Sequence, residues 1–83
     1  MFYAYVLKSE KDGKFYIGHT QNVSKRLKQH NSGRVRSTKR RLPFILVHQE
    51  NFSSRSEARW QEHQWKTAWG REKLSDLIKD IPR

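Results

Sequence analysis

The stretch that decides the fold is FYIGHTQNVSKRLKQH, residues 15–30. Its first residues are aromatic and aliphatic, which is typical of a strand. Gly18 then predicts a tight turn, and Asn22 is a good N-cap for the helix that the apolar spacing after it predicts. A phenol, an imidazole and a guanidinium therefore meet at one strand-to-helix junction.

The segment before this junction supplies a partner strand. Residues 3–7 are apolar on both alternating faces, as expected of a central strand that is covered on both sides. The polar residues that follow end in Asp12-Gly13, which is a strong turn signal. We therefore expect residues 3–7 and 15–18 to form an antiparallel hairpin.

The rest of the chain adds one strand and two helices. Gly33 ends the first helix, because glycine favours a left-handed terminus. Residues 44–48 are typical of a third strand, residues 54–57 fit a capping box that starts a second helix, and residues 74–81 predict a short third helix. The fold class is therefore α/β of the α+β type: a single domain over residues 1–83 with a three-stranded antiparallel sheet flanked by helices, in the order β-β-α-β-α-α.

Composition restricts the class of protein. The 83 residues include no cysteine, which excludes disulfides, zinc-thiolate sites and thiol nucleophiles. The N-terminus lacks the basic region and the length of a signal peptide. No run approaches the roughly 20 apolar residues that span a bilayer. We therefore expect a soluble, cytoplasmic protein with no membrane association.

The net charge of +10 is unevenly distributed along the chain. No acidic residue lies between Asp12 and Glu50, whereas nine lysines and arginines do. Such a patch favours a polyanion partner, DNA first and RNA second, over a merely solubilising, ribosome-associated or membrane-surface role. The residues expected to bind nucleic acid are His19, Lys25, Lys28, Arg34, Arg36, Lys39, Arg40, Arg41 and Lys66.

A carboxylate on the second helix is in an unusual place. Ala58, Trp65 and Trp69 form an apolar face, and Glu62 falls in the middle of it. An unpaired carboxylate on a buried face costs several kcal/mol, so a cation must meet it. The pattern leaves open whether that cation is Arg26 or Lys66 in a structural ion pair, or a metal ion.

Four further polar residues are candidates for chemistry. Arg26 and His30 lie at the edge of the apolar stripe of the first helix, where we expect a sheet face to meet solvent. Tyr5 and Tyr16 lie on paired strands, where a tyrosine is ordinarily a core residue. The histidines show no spacing typical of a zinc site on a helix.

In order and spacing, these residues resemble the GIY-YIG nuclease domain. Tyr3-Ala4-Tyr5 matches the first motif, with Tyr-Ala-Tyr in place of Gly-Ile-Tyr, and Tyr16-Ile17-Gly18 matches the second. His19 stands where the related repair nuclease carries a lysine. The resemblance runs from Tyr3 to about Ile78. Its further matches, in order, are Arg26, His30-Asn31, Gly33, Thr38, Pro43, Glu57-Ala58, and Glu62 with Lys66. It is strongest to small stand-alone members, which are similar to the nuclease domain of the bacterial excision-repair incision subunit and to a structure-specific nuclease subunit.

The resemblance implies a metal-dependent DNA endonuclease that acts in repair or recombination. It implies Tyr16 as the general base, Arg26 as the phosphate clamp and Glu62 as the ligand of Mg²⁺, for which Mn²⁺ could substitute. Tyr5 would position water or phosphate, and His30 would assist proton transfer or orient Tyr16.

Two other classes of function remain open. The first is a catalytically weak or inactive nucleic-acid-binding module with the same fold. The second is a basic adaptor that docks on a protein partner. A small nuclease domain would also be expected to use a protein partner for targeting.

Overall fold

The computed structural model describes residues 1–67. The elements follow the order β1, β2, α1, β3, α2, and the strands form one antiparallel sheet in the order β2-β1-β3. The sheet, the hairpin and the central position of the first strand are confirmed. The helix predicted over residues 74–81 lies outside the described residues, as does Trp69. The bounds are β1 Phe2–Ser9, β2 Phe15–Thr20, α1 Val23–Asn31, β3 Phe44–Phe52 and α2 Arg55–Lys66.

The core lies on both faces of β1, where residues 4–7 are all buried. Side chains alternate across a strand, so odd-numbered residues of β1 face α1 and even-numbered ones face α2. The α1 side buries Tyr5, Leu7 and Phe44 against Tyr16, Val23, Leu27 and Leu42. The α2 side buries Ala4, Val6, Ile17 and Trp65 against Val47 and Phe52.

The helix ends follow the sequence signals. The Asn22 side chain accepts a hydrogen bond from the backbone N–H of Lys25, and Ser54 accepts one from Glu57. These bonds satisfy N–H groups that a helix start leaves unpaired. Gly33 has φ +80°, which confirms the left-handed end of α1. Neither described helix is long and apolar enough to cross a membrane.

Gly18 has a different role from the one the sequence suggested. It lies within β2, directly opposite Tyr5, so the predicted glycine turn is wrong. A Cβ atom at this position would approach the Tyr5 hydroxyl oxygen to 2.7 Å. The absence of a side chain at Gly18 therefore leaves space for the Tyr5 phenol, and it does not serve to form a turn.

The connection from α1 to β3 is anchored at both ends. The Asn31 side-chain amide donates to the carbonyl of Phe44 (3.0 Å) and accepts from its N–H (2.7 Å). Buried Ser9 donates to the carbonyl of Arg41 (2.6 Å), and the Arg41 side chain donates to the Asp12 carboxylate (2.9 Å). The basic loop, residues 34–41, is thus held against the sheet.

Candidate active site

Three elements bring a cluster of polar rings to the α1 face of the sheet. Tyr5 comes from β1, Tyr16 from β2 and His30 from α1. The Tyr5 hydroxyl and His30 Nε2 are 3.3 Å apart, and the Tyr16 and His30 ring centroids are 4.8 Å apart in an edge-to-face arrangement. Residues from distant parts of the chain therefore converge, as the sequence predicted.

Arg26 lies beside both phenols. Its guanidinium donates to Gln29 Oε1 at 3.1 Å. The pKa of Arg26 is raised, chiefly through its interaction with Tyr5 and further through Tyr16. The helix arginine therefore interacts, as a positive charge, with both phenol oxygens.

His30 differs from its predicted position at the edge of the helix. Its side chain is fully buried rather than at a solvent boundary, because Tyr5, Tyr16 and Phe44 enclose the ring. Burial, and then the charge of Arg26, lower the pKa of His30 to about 4. The imidazole is thus neutral at pH 7, with one ring nitrogen as a donor and the other as an acceptor.

The two tyrosines are in different environments. Burial raises the pKa of the Tyr5 phenol, although Arg26 beside it acts in the opposite direction. A protonated, buried Tyr5 suits the positioning role that the resemblance implies. Tyr16 is only partly buried, so of the two phenols it is the one that solvent and substrate can reach.

Glu62 forms a second cluster on the α2 face. Its carboxylate accepts from His19 Nδ1 at 2.6 Å and from Lys66 Nζ at 2.7 Å. Glu62 therefore pairs with Lys66 and His19 and not with Arg26, and its role as a metal ligand stays a prediction. Burial acts to raise the pKa of Glu62, but the bonds from His19 and Lys66 outweigh it, and the net pKa is below the ordinary value.

The two clusters meet across one strand. Gly18 faces the Tyr5 hydroxyl on the α1 side, and the next residue, His19, holds Glu62 on the α2 side. The charge of Glu62 also contributes to the raised pKa of Tyr5. The strand that carries both Tyr16 and His19, β2, is an edge strand of the sheet.

The donor set at Glu62 fits a hard divalent cation only in part. Among residues 1–67, no group of three or more histidines and carboxylates is placed to hold a metal ion. Mg²⁺ nevertheless needs only one or two protein carboxylates, because it keeps several waters. Each Glu62 oxygen has a further lone pair, and the Lys66 side chain is 49% exposed. A single-carboxylate Mg²⁺ site is therefore compatible with these residues.

Most residues expected to bind nucleic acid are exposed. They fall on the surface of α1 and on the basic loop, whereas His19, Arg41 and Lys66 are held in ion pairs. The exposed ones are Lys25, Lys28, Arg34, Arg36, Lys39 and Arg40.

Sequence reasoning did not predict the position of one residue at the site. Thr38 is buried in the basic loop and contacts His30 Nδ1 through Oγ1 at 2.8 Å. Thr38 is one of the residues that carry the family resemblance, but the cations around it did not predict that its side chain is buried against His30.

Comparison with known proteins finds relatives over most of the length of this chain. The family model of the GIY-YIG catalytic domain matches residues 1–75. A UPF0213 protein of Staphylococcus haemolyticus is 45% identical over 73 residues, which cover 87% of this chain and 88% of the relative. A UPF0213 protein of Bacillus pumilus is 41% identical over 80 residues, covering 95% and 80%.

A solved structure is also similar. The solution NMR structure of a UPF0213 protein from Bacillus halodurans has a TM-score of 0.58 and 35% sequence identity to this chain. The similarity covers 98% of this chain and 89% of that one. The likeness therefore extends over nearly the whole length of this chain.

Proposed function

The chain belongs to the GIY-YIG catalytic-domain family, and from that membership we propose that it is a divalent-metal-dependent endonuclease that hydrolyses phosphodiester bonds in DNA. We place its action in the cytoplasm, in repair or recombination. The observation that carries the proposal is the convergence of Tyr5, Tyr16, Arg26 and His30 from three elements, one strand away from Glu62.

Tyr16 is proposed as the general base. A phenol with an ordinary pKa near 10 needs nearby positive charge to accept a proton from water. The Arg26 guanidinium beside it supplies that charge. Arg26 also has the planar donor geometry that binds a phosphate with two hydrogen bonds.

Glu62 is proposed as the metal ligand. A bound Mg²⁺ ion would polarise the scissile phosphate and stabilise the leaving oxygen. His19 holds one carboxylate oxygen in place, and Lys66 neutralises the other until a cation replaces it. The lowered pKa of Glu62 keeps the carboxylate ionised at neutral pH, as metal binding requires.

The exposed cations of α1 and of the basic loop are proposed to bind the DNA backbone. Contacts with phosphates position a nucleic acid but carry no sequence information. Trp60 is 60% exposed on α2 and is available to stack on an unpaired base. A protein partner for targeting would add the selectivity that backbone contacts lack.

Nicking of plasmid and branched DNA in Mg²⁺ or Mn²⁺ tests the catalytic proposal. We expect Tyr16→Phe, Arg26→Ala and Glu62→Ala each to lower the rate at least about 100-fold while the circular dichroism spectrum stays native. Glu10→Gln removes an exposed carboxylate far from the site and should leave the rate unchanged. Full activity in Glu62→Ala would refute the metal role.

A second candidate is a nucleic-acid-binding module without turnover. The observation that favours it is the engagement of both Glu62 oxygens by side chains of this chain.

Binding measured against salt separates the two candidates. Each lost phosphate contact should reduce the slope of log K against log salt by about 0.9, so replacing Arg36, Lys39 and Arg40 with serine should reduce it by about 2.7. Such binding without any cleavage in either metal would select the second candidate.

A further inference from the structure

We propose that Thr38 is a positioning residue that fixes one tautomer of His30 and thereby connects the basic loop to the Tyr5 hydroxyl. The nucleic-acid part of this proposal rests on the proposed function, whereas the tautomer part does not. The residues involved lie on the loop, on α1 and on β1.

Thr38 differs from its neighbours in the basic loop. Its side chain is 1% exposed, while the cations on either side of it are on the surface. Backbone hydrogen bonds from Thr38 N–H to Val35 and from Arg41 N–H to Thr38 close two successive turns around it. The loop is therefore folded about a buried hydroxyl whose partner is His30 Nδ1, at 2.8 Å.

The proton positions follow from counting donors and acceptors. A neutral imidazole has one N–H, and a threonine hydroxyl can donate once and accept more than once. The Thr38 hydroxyl also donates to the Val35 carbonyl at 3.4 Å. Both contacts of Oγ1 are used together only when the hydroxyl proton goes to Val35 and Oγ1 accepts from His30 Nδ1–H, which leaves Nε2 without a proton.

This tautomer determines the direction of the Tyr5 hydroxyl. His30 Nε2 becomes the acceptor of the Tyr5 O–H at 3.3 Å, so the lone pairs of the Tyr5 oxygen are free for Arg26 and for substrate. In the opposite tautomer, Nε2–H would donate to Tyr5 and the phenol proton would point elsewhere. Every buried polar side-chain atom in the described residues has a hydrogen-bond partner, and the Nδ1–H tautomer uses all three contacts at once.

The link also has a consequence for nucleic-acid binding. Arg36, Lys39 and Arg40 flank Thr38, so phosphate contacts at these cations act on the segment that carries the hydroxyl. Ordering of the loop on DNA and orientation of Tyr5 are then one coupled step. We infer that binding of the nucleic-acid backbone by the basic loop is coupled to the orientation of Tyr5 through Thr38 and His30.

Ring-nitrogen NMR of ¹⁵N-histidine-labelled protein tests the tautomer without metal or DNA. We expect His30 in the wild type and in Thr38→Ser to be protonated at Nδ1. In Thr38→Val, which keeps the shape but loses the acceptor, we expect a shift toward the Nε2–H form. Ser37→Val changes an exposed neighbour and should leave the spectrum as it is. An Nε2–H form in the wild type would overturn the proposal, whether or not Thr38→Val folds.

Activity and DNA titration test the rest. Thr38→Val should nick about tenfold more slowly, as is typical when a partner that orients a site residue is lost, and Thr38→Ser should stay within about twofold of the wild type. Addition of duplex DNA without metal should move the His30 ring signals in the wild type but not in Thr38→Val. Unchanged His30 signals at saturating DNA would overturn the coupling. Absence of both DNA binding and nicking in the wild type would instead refute the proposed function, and the free-protein tautomer would still decide the role of Thr38.

Discussion

At the scale of single residues, Gly18 shows how one missing side chain creates the site. Glycine inside a strand weakens it, yet here the space above the glycine is filled by the Tyr5 hydroxyl. The Tyr5 ring is 1% exposed and packed in the core, so it cannot swing away to accept a new atom. The position of the phenol oxygen therefore depends on Gly18.

Substitution of Gly18 by alanine tests this dependence. The new Cβ would overlap the Tyr5 oxygen, so we expect a loss of about 1–3 kcal/mol in unfolding free energy and a large loss of nicking, because the phenol leaves His30. Urea unfolding and the nicking assay measure the two effects. Gly13→Ala is the matched control, since Gly13 has φ +73° but open space around its Cβ position. It should cost about 1–2 kcal/mol and leave the rate unchanged; equal losses of rate in both variants would contradict the steric explanation.

At the scale of elements, Asn31 joins the last turn of α1 to the first residue of β3. Its amide makes two hydrogen bonds to the Phe44 backbone, and Phe44 in turn packs against His30. These contacts hold the helix that carries Arg26 and His30 in a defined position against the sheet. Sequence patterns show the helix and the strand but not this bond between them.

Asn31→Ala is expected to loosen that connection. Loss of both bonds leaves the N–H and carbonyl of Phe44 unpaired, so we expect a cost of about 1–3 kcal/mol and a lower melting temperature. Thermal unfolding followed by circular dichroism measures it. Ser32→Ala, one residue later and exposed, should change stability by less than about 0.5 kcal/mol. A melting temperature in Asn31→Ala equal to that of Ser32→Ala would show that the bridge contributes nothing.

At the scale of the whole molecule, the buried imidazole makes the fold sensitive to acid. The pKa of His30 is about 4 in the folded chain against an ordinary value of 6.5, so between these pH values the unfolded chain binds more protons than the folded one. Unfolding free energy therefore falls as the pH is lowered from 6.5 to 4, by about 3 kcal/mol for this group. Below about 4.5, protonation of Glu62, whose pKa is lowered in the fold, removes further stability.

His30→Gln should remove the first part of this dependence. Glutamine does not titrate, so we expect the unfolding free energy of the variant to change little between pH 6.5 and 4.5, even if it is lower at pH 7. Urea unfolding at several pH values gives the slope. His63→Gln alters an exposed histidine and should keep the wild-type slope; a wild-type slope in His30→Gln would show that another group causes the acid sensitivity.

The sequence by itself determined the order of the described elements, the hairpin, the caps at Asn22 and Ser54, and the need for a cation at Glu62. These features depend on local spacing, on turn chemistry and on the cost of burying a charge. Each of these can be recognised from residues that are close together in the sequence. The tertiary structure alone decided that Gly18 makes room for Tyr5, that His30 is buried and that Thr38 and Asn31 bind across the fold. Those features depend on which side chains meet after distant segments pack, and no local pattern contains that information. Residues 15–30 thus provide half of the proposed site, and β1, α2 and the basic loop complete it.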